Sequence, residues 1–200
     1  MPGGRVRLKR PLYFVRHGET DWNVERRYQG RLETHLNEKG REQAARNGRA
    51  LMARIDKPER HVFIASPLAR AVETMAIVRT EMGLDGRVFG RDDRIAEIDL
   101  GEWDGKTYDE IERETPGIFA RRERDKWRFR PPGGESYAEA AARVRDFLLH
   151  LKRPAVIVGH GATGRILRGY LLGLGRNRVP GLSSPHDAVF RIERGREFVI

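Results

Sequence analysis

Two hundred residues, 38% hydrophobic and 34% charged with no low-complexity tract, suit one globular domain with a core of its own. The absence of cysteine excludes disulfides, thiolate metal sites and a cysteine nucleophile, and no apolar run approaches the ~20 residues of a membrane helix. The formal charge of +10 concentrates in two places, residues 1–10 with four cations and no acid, and residues 121–130 with six cations against two acids. The first is read as a basic tail of solvated charge. The second is left open between a solvated face and recognition of an anion.

In chain order, Leu12 to Val15 is a short apolar run of the kind buried in parallel sheets. Asn37 opens a helix with Ala44, Ala45, Gly48, Leu51, Met52 and Ile55 on one face. A second strand spans His61–Ala65, and Ser66-Pro67 reads as an N-cap and first turn of a helix reaching about Met82. Thr107 with Glu110 and Ser136 with Glu139 read as capping boxes, the latter starting a helix that turns Ala140, Val144, Phe147 and Leu148 inward. Ala155–Val158 is the next strand and Thr163–Leu172 the next helix. Ala188–Ile192 and Phe198–Ile200 close the chain as strands joined through Arg194-Gly195.

This alternation predicts a three-layer α/β/α domain over residues 1–200 with a mostly parallel central sheet. Residues 91–135, charged and holding Trp103 and Trp127, are expected as an excursion over the sheet edge that covers the active site. The basic amino terminus, with no signal-like apolar segment after it, is read as cytoplasmic.

Three of these strands end in polar residues: Arg16-His17-Gly18-Glu19, Ser66-Pro67 with Arg70 a turn later, and Gly159-His160-Gly161. Parallel strands bring their carboxyl ends to one rim, where ligands collect. Two imidazoles and two guanidinium forks on that rim suit phosphoryl oxygens, and an imidazole can carry a covalent phosphoryl group. Taken singly, His160 reads as a structural histidine, Arg70 as a helix-surface arginine and Glu97 as a loop acid. Their joint placement favours function.

Gly159-His160-Gly161-Ala162-Thr163-Gly164 formally matches a dinucleotide fingerprint, but Asp187 precedes its strand instead of ending it, and about forty residues are too few for a second nucleotide half. No P-loop motif is present. The six histidines are scattered without ligand spacing, so neither a metal nor another cofactor is expected. Lys126-Trp127-Arg128-Phe129-Arg130 interleaves cations with aromatics, as base-stacking surfaces do, which raises a polyanion-binding protein on a non-catalytic fold as a rival.

The run Leu12-Tyr13-Phe14-Val15-Arg16-His17-Gly18-Glu19-Thr20 with Trp22-Asn23 resembles the signature of the histidine phosphatase superfamily, also called phosphoglycerate mutase-like. Further matches follow in family order as far as about Leu172. They are Gln29-Gly30, Leu36 to Gly40, Ser66-Pro67-Leu68-Ala69-Arg70-Ala71 with Thr74, Glu97 with Gly101-Glu102-Trp103-Asp104-Gly105, Gly133-Gly134-Glu135-Ser136, and Gly159-His160-Gly161.

The resemblance implies a metal-independent phosphomonoesterase acting on a small phosphorylated metabolite. His17 would be the nucleophile and Glu97 the acid and base. Arg16, Arg70 and His160 would surround the phosphoryl group, with Asn23, Gln29, Gly30 and Gly161 in phosphate or substrate binding. One well-placed arginine contributes ~10³ to 10⁵ in other phosphoryl-transfer enzymes, so two with His160 suffice for the charge stabilisation. Glu97 is followed by Ile98-Asp99-Leu100-Gly101, the form common in the phosphatase branch, whereas mutases usually continue Arg-x-Tyr-Gly. Phosphatase is therefore expected, with a mutase as the alternative. Neither nucleic acid nor membrane is expected as a partner, and a homodimer is left open. Arg121, Arg122 and Arg124 are candidates for a second anionic group of the substrate, and Trp127 and Phe129 for an apolar leaving group.

Overall fold

The computed structural model describes residues 1–200. Its centre is a six-stranded sheet. β1 (Leu12–Arg16) lies between two neighbours. On one side it pairs in parallel with β4 (Ala155–Gly159), which pairs in parallel with β2 (Val62–Ala65), and that in turn with the two-residue edge strand β3 (Gly90–Arg91). On the other side β5 (Val189–Glu193) runs antiparallel to β1 and to β6 (Arg196–Val199). The order β3-β2-β4-β1-β5-β6 is the mostly parallel sheet expected.

Successive strand side chains point to opposite faces, so one short apolar strand supplies two cores. Tyr13 and Val15 of β1 face α2 (Glu38–Met52) and α3 (Ala69–Glu81) through Leu51, Met75 and Val78. Leu12 and Phe14 face α6 (Tyr137–His150) and α7 (Gly161–Leu172) through Val144, Phe147, Ile166 and Tyr170. These helices complete three layers, while the one-turn α1 (Asp21–Val24) follows the loop after β1. Asn37 caps α2 by accepting from Gly40 N–H at 2.8 Å, and the Ser136–Glu139 capping box starts α6 as read.

The start of α3 differs from the reading. The helix begins at Ala69 with Leu68 as a cap residue that offers no side-chain bond, so Ser66 is not the N-cap. Its hydroxyl is taken by a distant partner instead. α7 begins two residues earlier than expected because His160 holds the extended cap conformation.

The amino-terminal segment also departs from a free tail. Val6 is buried in the core and donates its N–H to Tyr170 O at 3.2 Å, while Arg5, Arg7, Lys9 and Arg10 stay exposed.

After β3, residues 91–135 form two single-turn 3-10 segments, α4 (Tyr108–Glu114, capped by the Thr107–Glu110 box) and α5 (Ile118–Arg124). Trp103, Ile111, Ile118 and Phe119 give this stretch a small core of its own. It leaves from the sheet edge, but residues 105–107 pair with residues 27–28, next to the carboxyl ends of the central strands. Tyr28 N–H donates to Lys106 O at 2.8 Å and Gly105 N–H to Tyr28 O at 2.9 Å. No helix is long and apolar enough to cross a membrane.

Candidate active site

His17 is the first residue past β1, yet its N–H still bonds Gly159 O at 2.9 Å, so the pairing with β4 continues by one step. The imidazoles of His17 and His160 therefore stand side by side, with ring centroids 5.1 Å apart. His17 Nδ1 donates to the carbonyl of Gly18 at 2.8 Å, which leaves the lone pair on Nε2. That carbonyl is itself fixed. Gly18 N–H donates to Thr74 Oγ1 at 3.0 Å, and Gly18 lies so close to Gly40 that a Cβ on it would fall 2.2 Å from Gly40 O. Only glycine fits there. Burial, followed by the fields of His160, Arg70, Arg16 and His186, holds His17 well below the usual histidine range, so the ring is neutral at pH 7.

His160 is fully buried. Its Nε2 lies 2.6 Å from Ser66 Oγ and its Nδ1 has no partner. Ser66 Oγ also accepts from Leu68 N–H at 3.4 Å; giving its own hydrogen to His160 Nε2 is the arrangement that leaves neither atom unpaired, and it puts the ring's hydrogen on Nδ1 as a free donor. Burial and the guanidiniums of Arg70 and Arg16 keep this ring neutral as well.

Arg16 gives one nitrogen to Ser184 O at 2.7 Å, leaves Nε unpartnered and has no carboxylate within ion-pair distance. Burial brings its guanidinium down to about 10, against the opposing pull of Glu97. Arg70, wholly buried in the first turn of α3, donates to Gly30 O at 2.8 Å, Leu32 O at 3.0 Å and Thr34 Oγ1 at 3.3 Å, with Nε unpartnered. A buried and a half-buried guanidinium, paired only with neutral oxygens, make a site short of negative charge.

Gly30 orients Arg70 through its carbonyl and gives its N–H to Asp104 Oδ1 at 2.7 Å; like Arg70 it lies behind the cavity lining.

Glu97 is held by three backbone amides: Ile98 N–H at 3.0 Å and Thr163 N–H at 3.1 Å on Oε1, and Ala162 N–H at 3.0 Å on Oε2. Two of these belong to the first turn of α7, where a helix offers unpaired N–H groups to an anion. A Cβ placed on Gly161 would lie 3.7 Å from Glu97 Oε2 and 3.8 Å from Arg16 Cζ, so these groups converge on bare glycine backbone. Asn23 and Gln29 also reach the cavity. The Asn23 carbonyl oxygen accepts from Thr20 N–H, and that of Gln29 from the hydroxyls of Thr20 and Thr34. Both therefore turn their NH2 groups away from these bonds, and Gln29 Nε2 is buried without a partner.

The cavity over His17 has a volume of about 270 Å³. His17, Arg16, Glu97, Asn23, Gln29 and Gly161 line one part of it, while Arg70 and His160 lie buried outside its lining. Tyr28, Trp103, Phe129, Arg122 and Lys126 line the rest. Of the residues expected to meet the substrate from the excursion, Arg122 and Phe129 line the cavity. Arg121 and Arg124 point elsewhere, and Trp127 is buried in the main core against Tyr137.

Two residues were missed. Arg165, one turn after Gly161 on α7, lines the cavity and could have been found from their i,i+4 spacing. His186 donates from Nδ1 to His17 O at 2.6 Å, and nothing in its loop sequence signals that contact.

The family described as "Histidine phosphatase superfamily (branch 1)" matches residues 12–198. The chain is 36% identical over 193 residues to the glucosyl-3-phosphoglycerate phosphatase of Mycobacterium tuberculosis, covering 90% of this chain and 82% of that protein. It is 34% identical over 182 residues to the 2,3-bisphosphoglycerate-dependent phosphoglycerate mutase of Methylobacterium radiotolerans, covering 88% and 85%. A solved structure of a mycobacterial glucosyl-3-phosphoglycerate phosphatase in complex with VO3 matches with a TM-score of 0.79 at 33% identity, over 91% of this chain and 90% of that one. The paired histidines, the carboxylate-free arginines and these similarities agree: the chain belongs to branch 1 of the histidine phosphatase superfamily.

Proposed function

We propose that the protein hydrolyses the phosphomonoester of a small metabolite in two steps through a phosphohistidine on His17. His17 Nε2 attacks phosphorus and the bond to the ester oxygen breaks as Glu97 delivers a proton to that oxygen. Water then attacks the phosphohistidine, Glu97 takes up its proton, and inorganic phosphate leaves with the Nε2 lone pair restored. Arg16, Arg70 and the Nδ1–H of His160 stabilise the charge on the transferring group, with the amide NH2 groups of Asn23 and Gln29 as neutral donors. Guanidiniums supply in this reading what a metal supplies in other phosphoryl-transfer sites, and no group of three or more metal-ligating side chains is gathered in the chain. The observation that carries the reading is the tautomer of His17, fixed by Gly18 O so that the nitrogen beside uncompensated arginines is the nucleophilic one.

The substrate is small because the cavity is small, and the reading places the enzyme among cytoplasmic metabolites. Nucleic acid has no part in it, since the burial of Trp127 removes one aromatic from the cation–aromatic run. The similarity to a phosphoglycerate mutase keeps a second outcome in view, discharge of the phosphohistidine to another hydroxyl instead of to water. Phosphate release and phosphoryl exchange, measured side by side with glucosyl-3-phosphoglycerate and 3-phosphoglycerate, decide between them. Release without exchange supports the hydrolase; exchange outpacing release overturns it.

A further inference from the structure

The run Gly101-Glu102-Trp103-Asp104-Gly105 carries a half-buried acid, Asp104, that no step of the proposed reaction uses. It stands just after the single-turn segment Gly101–Trp103, and its carboxylate collects three successive backbone amides. Gly30 N–H donates to Oδ1 at 2.7 Å, and Arg31 and Leu32 N–H donate to Oδ2 at 2.7 and 2.8 Å. Consecutive N–H groups turned to one side form a concave nest for an anion. The seating is close, since a Cβ on Gly30 would fall 2.8 Å from Leu100 N and 2.9 Å from Ile98 O.

The same loop turns its carbonyls the other way, to Arg70. Gly30 O accepts from Nη2 at 2.8 Å and Leu32 O from Nη1 at 3.0 Å. Gly30 O and Arg31 N–H belong to one planar peptide group. That single peptide joins Arg70 Nη2 to Asp104 Oδ2, with its carbonyl at the cation and its N–H at the anion, the orientation both charges favour. A direct carboxylate contact would occupy the guanidinium fork. One intervening peptide orients it and leaves Nε without a partner. The charge of Asp104 still reaches Arg70: burial lowers the guanidinium, and the fields of Glu97 and Asp104 oppose that fall.

We infer that Asp104 is a positioning residue for Arg70, holding its guanidinium toward the transferring phosphoryl group through the Gly30–Arg31 peptide. The inference rests on the hydrolase reading for the step that Arg70 serves. The segment 97–104 then contributes twice, with the proton-carrying Glu97 at one end and the anchor of an arginine at the other.

A double-mutant cycle of Asp104→Asn and Arg70→Ala tests it. The readouts are kcat/KM for p-nitrophenyl phosphate and, independent of turnover, the Kd of orthovanadate by calorimetry. Asp104→Asn keeps the side-chain size but removes the charge and turns an NH2 toward the nest. With Arg70 present it lowers kcat/KM and weakens vanadate about tenfold each, the loss of one charge-assisted hydrogen bond. In the Arg70→Ala background each readout moves less than about twofold, because the group being positioned is gone. Asp104→Glu, which returns a carboxylate, retains more of both than Asp104→Asn.

Equal fold-losses in the two backgrounds overturn the inference, since support of the loop alone does not depend on Arg70. An Asp104→Asn enzyme within about twofold of wild type overturns it as well. An Asp104→Glu enzyme no better than Asp104→Asn overturns the part played by charge. If Asp104→Asn does not fold, as thermal melting shows, Asp104→Ser keeps one acceptor and carries the same cycle. A wild type that leaves p-nitrophenyl phosphate intact overturns the hydrolase reading, and the vanadate cycle still decides the role of Asp104.

Discussion

Replacing Ser66 by alanine tests a single hydrogen bond that decides which nitrogen of His160 carries the ring hydrogen. The hydroxyl is fully buried, accepts from Leu68 N–H and lies 2.6 Å from Nε2. Its removal strands Nε2 without a partner in a place where burial and two guanidiniums already forbid protonation. The ring then keeps no preference for holding its hydrogen on Nδ1, and the other tautomer turns a lone pair toward the phosphoryl oxygens. A buried acceptor left unsatisfied costs about 1–3 kcal/mol, and borne by the tautomer that donates to the phosphoryl group it corresponds to a loss of roughly 5- to 150-fold in kcat/KM. A histidine held in the wrong tautomer costs ~10⁴ in a serine protease, which sets the ceiling. Steady-state hydrolysis of p-nitrophenyl phosphate, with thermal melting in parallel, measures both effects. A Ser66→Ala enzyme within twofold of wild type in kcat/KM would refute the tautomer argument.

Three further outcomes follow from the same geometry. Gly40→Ala places a Cβ 2.0 Å from Glu19 O and forces α2 away from the loop that carries Gly18, so it should lower stability by about 1–3 kcal/mol in urea titration; wild-type stability would contradict the close approach. Glu97→Gln retains the side-chain size but has no proton to give, so kcat on an alkyl phosphate should fall ~10² to 10⁴. p-Nitrophenyl phosphate, whose phenolate leaves unprotonated, should lose less, and an equal loss on both substrates would remove Glu97 from leaving-group protonation. His17, His160 and His186 all have folded values below the ordinary histidine value, His186 at about 4, so the unfolded chain binds more protons than the folded one beneath pH ~6.5. Stability should be fully present above pH ~6.5 and decline as pH falls toward 4. Urea midpoints at pH 7.5, 6 and 5 that stay level would contradict it.

Much of the site was legible because parallel strands deliver their ends to one rim: Arg16-His17 after β1 and His160 after β4 needed only strand register to meet. What escaped depended on partners far away in sequence. Ser66-Pro67 carries a helix-start pattern, but His160, 94 residues later, claims the hydroxyl and the helix begins at Ala69. Gly30 sits among phosphate-site residues in the chain, and that its carbonyl orients Arg70 depends on a partner 40 residues away. His186 acts through one hydrogen bond from a loop, which has no periodicity to betray it. The charge at 121–130 was visible, but only the packing of α5 and the turn after it shows that Arg122 and Lys126 turn inward while Arg121 and Arg124 do not. β3 is two residues long, Gly90–Arg91, with no apolar pattern to announce a strand.

The central claim is a covalent bond between phosphorus and His17 Nε2. Rapid mixing with 32P-labelled substrate, denaturing quench at alkaline pH and peptide mapping tests it directly. The account predicts an acid-labile, alkali-stable label on the peptide containing His17, formed before phosphate release and absent from His17→Ala. A wild-type enzyme that turns over while never carrying label on that peptide, or a His17→Ala variant that retains wild-type turnover, would contradict it.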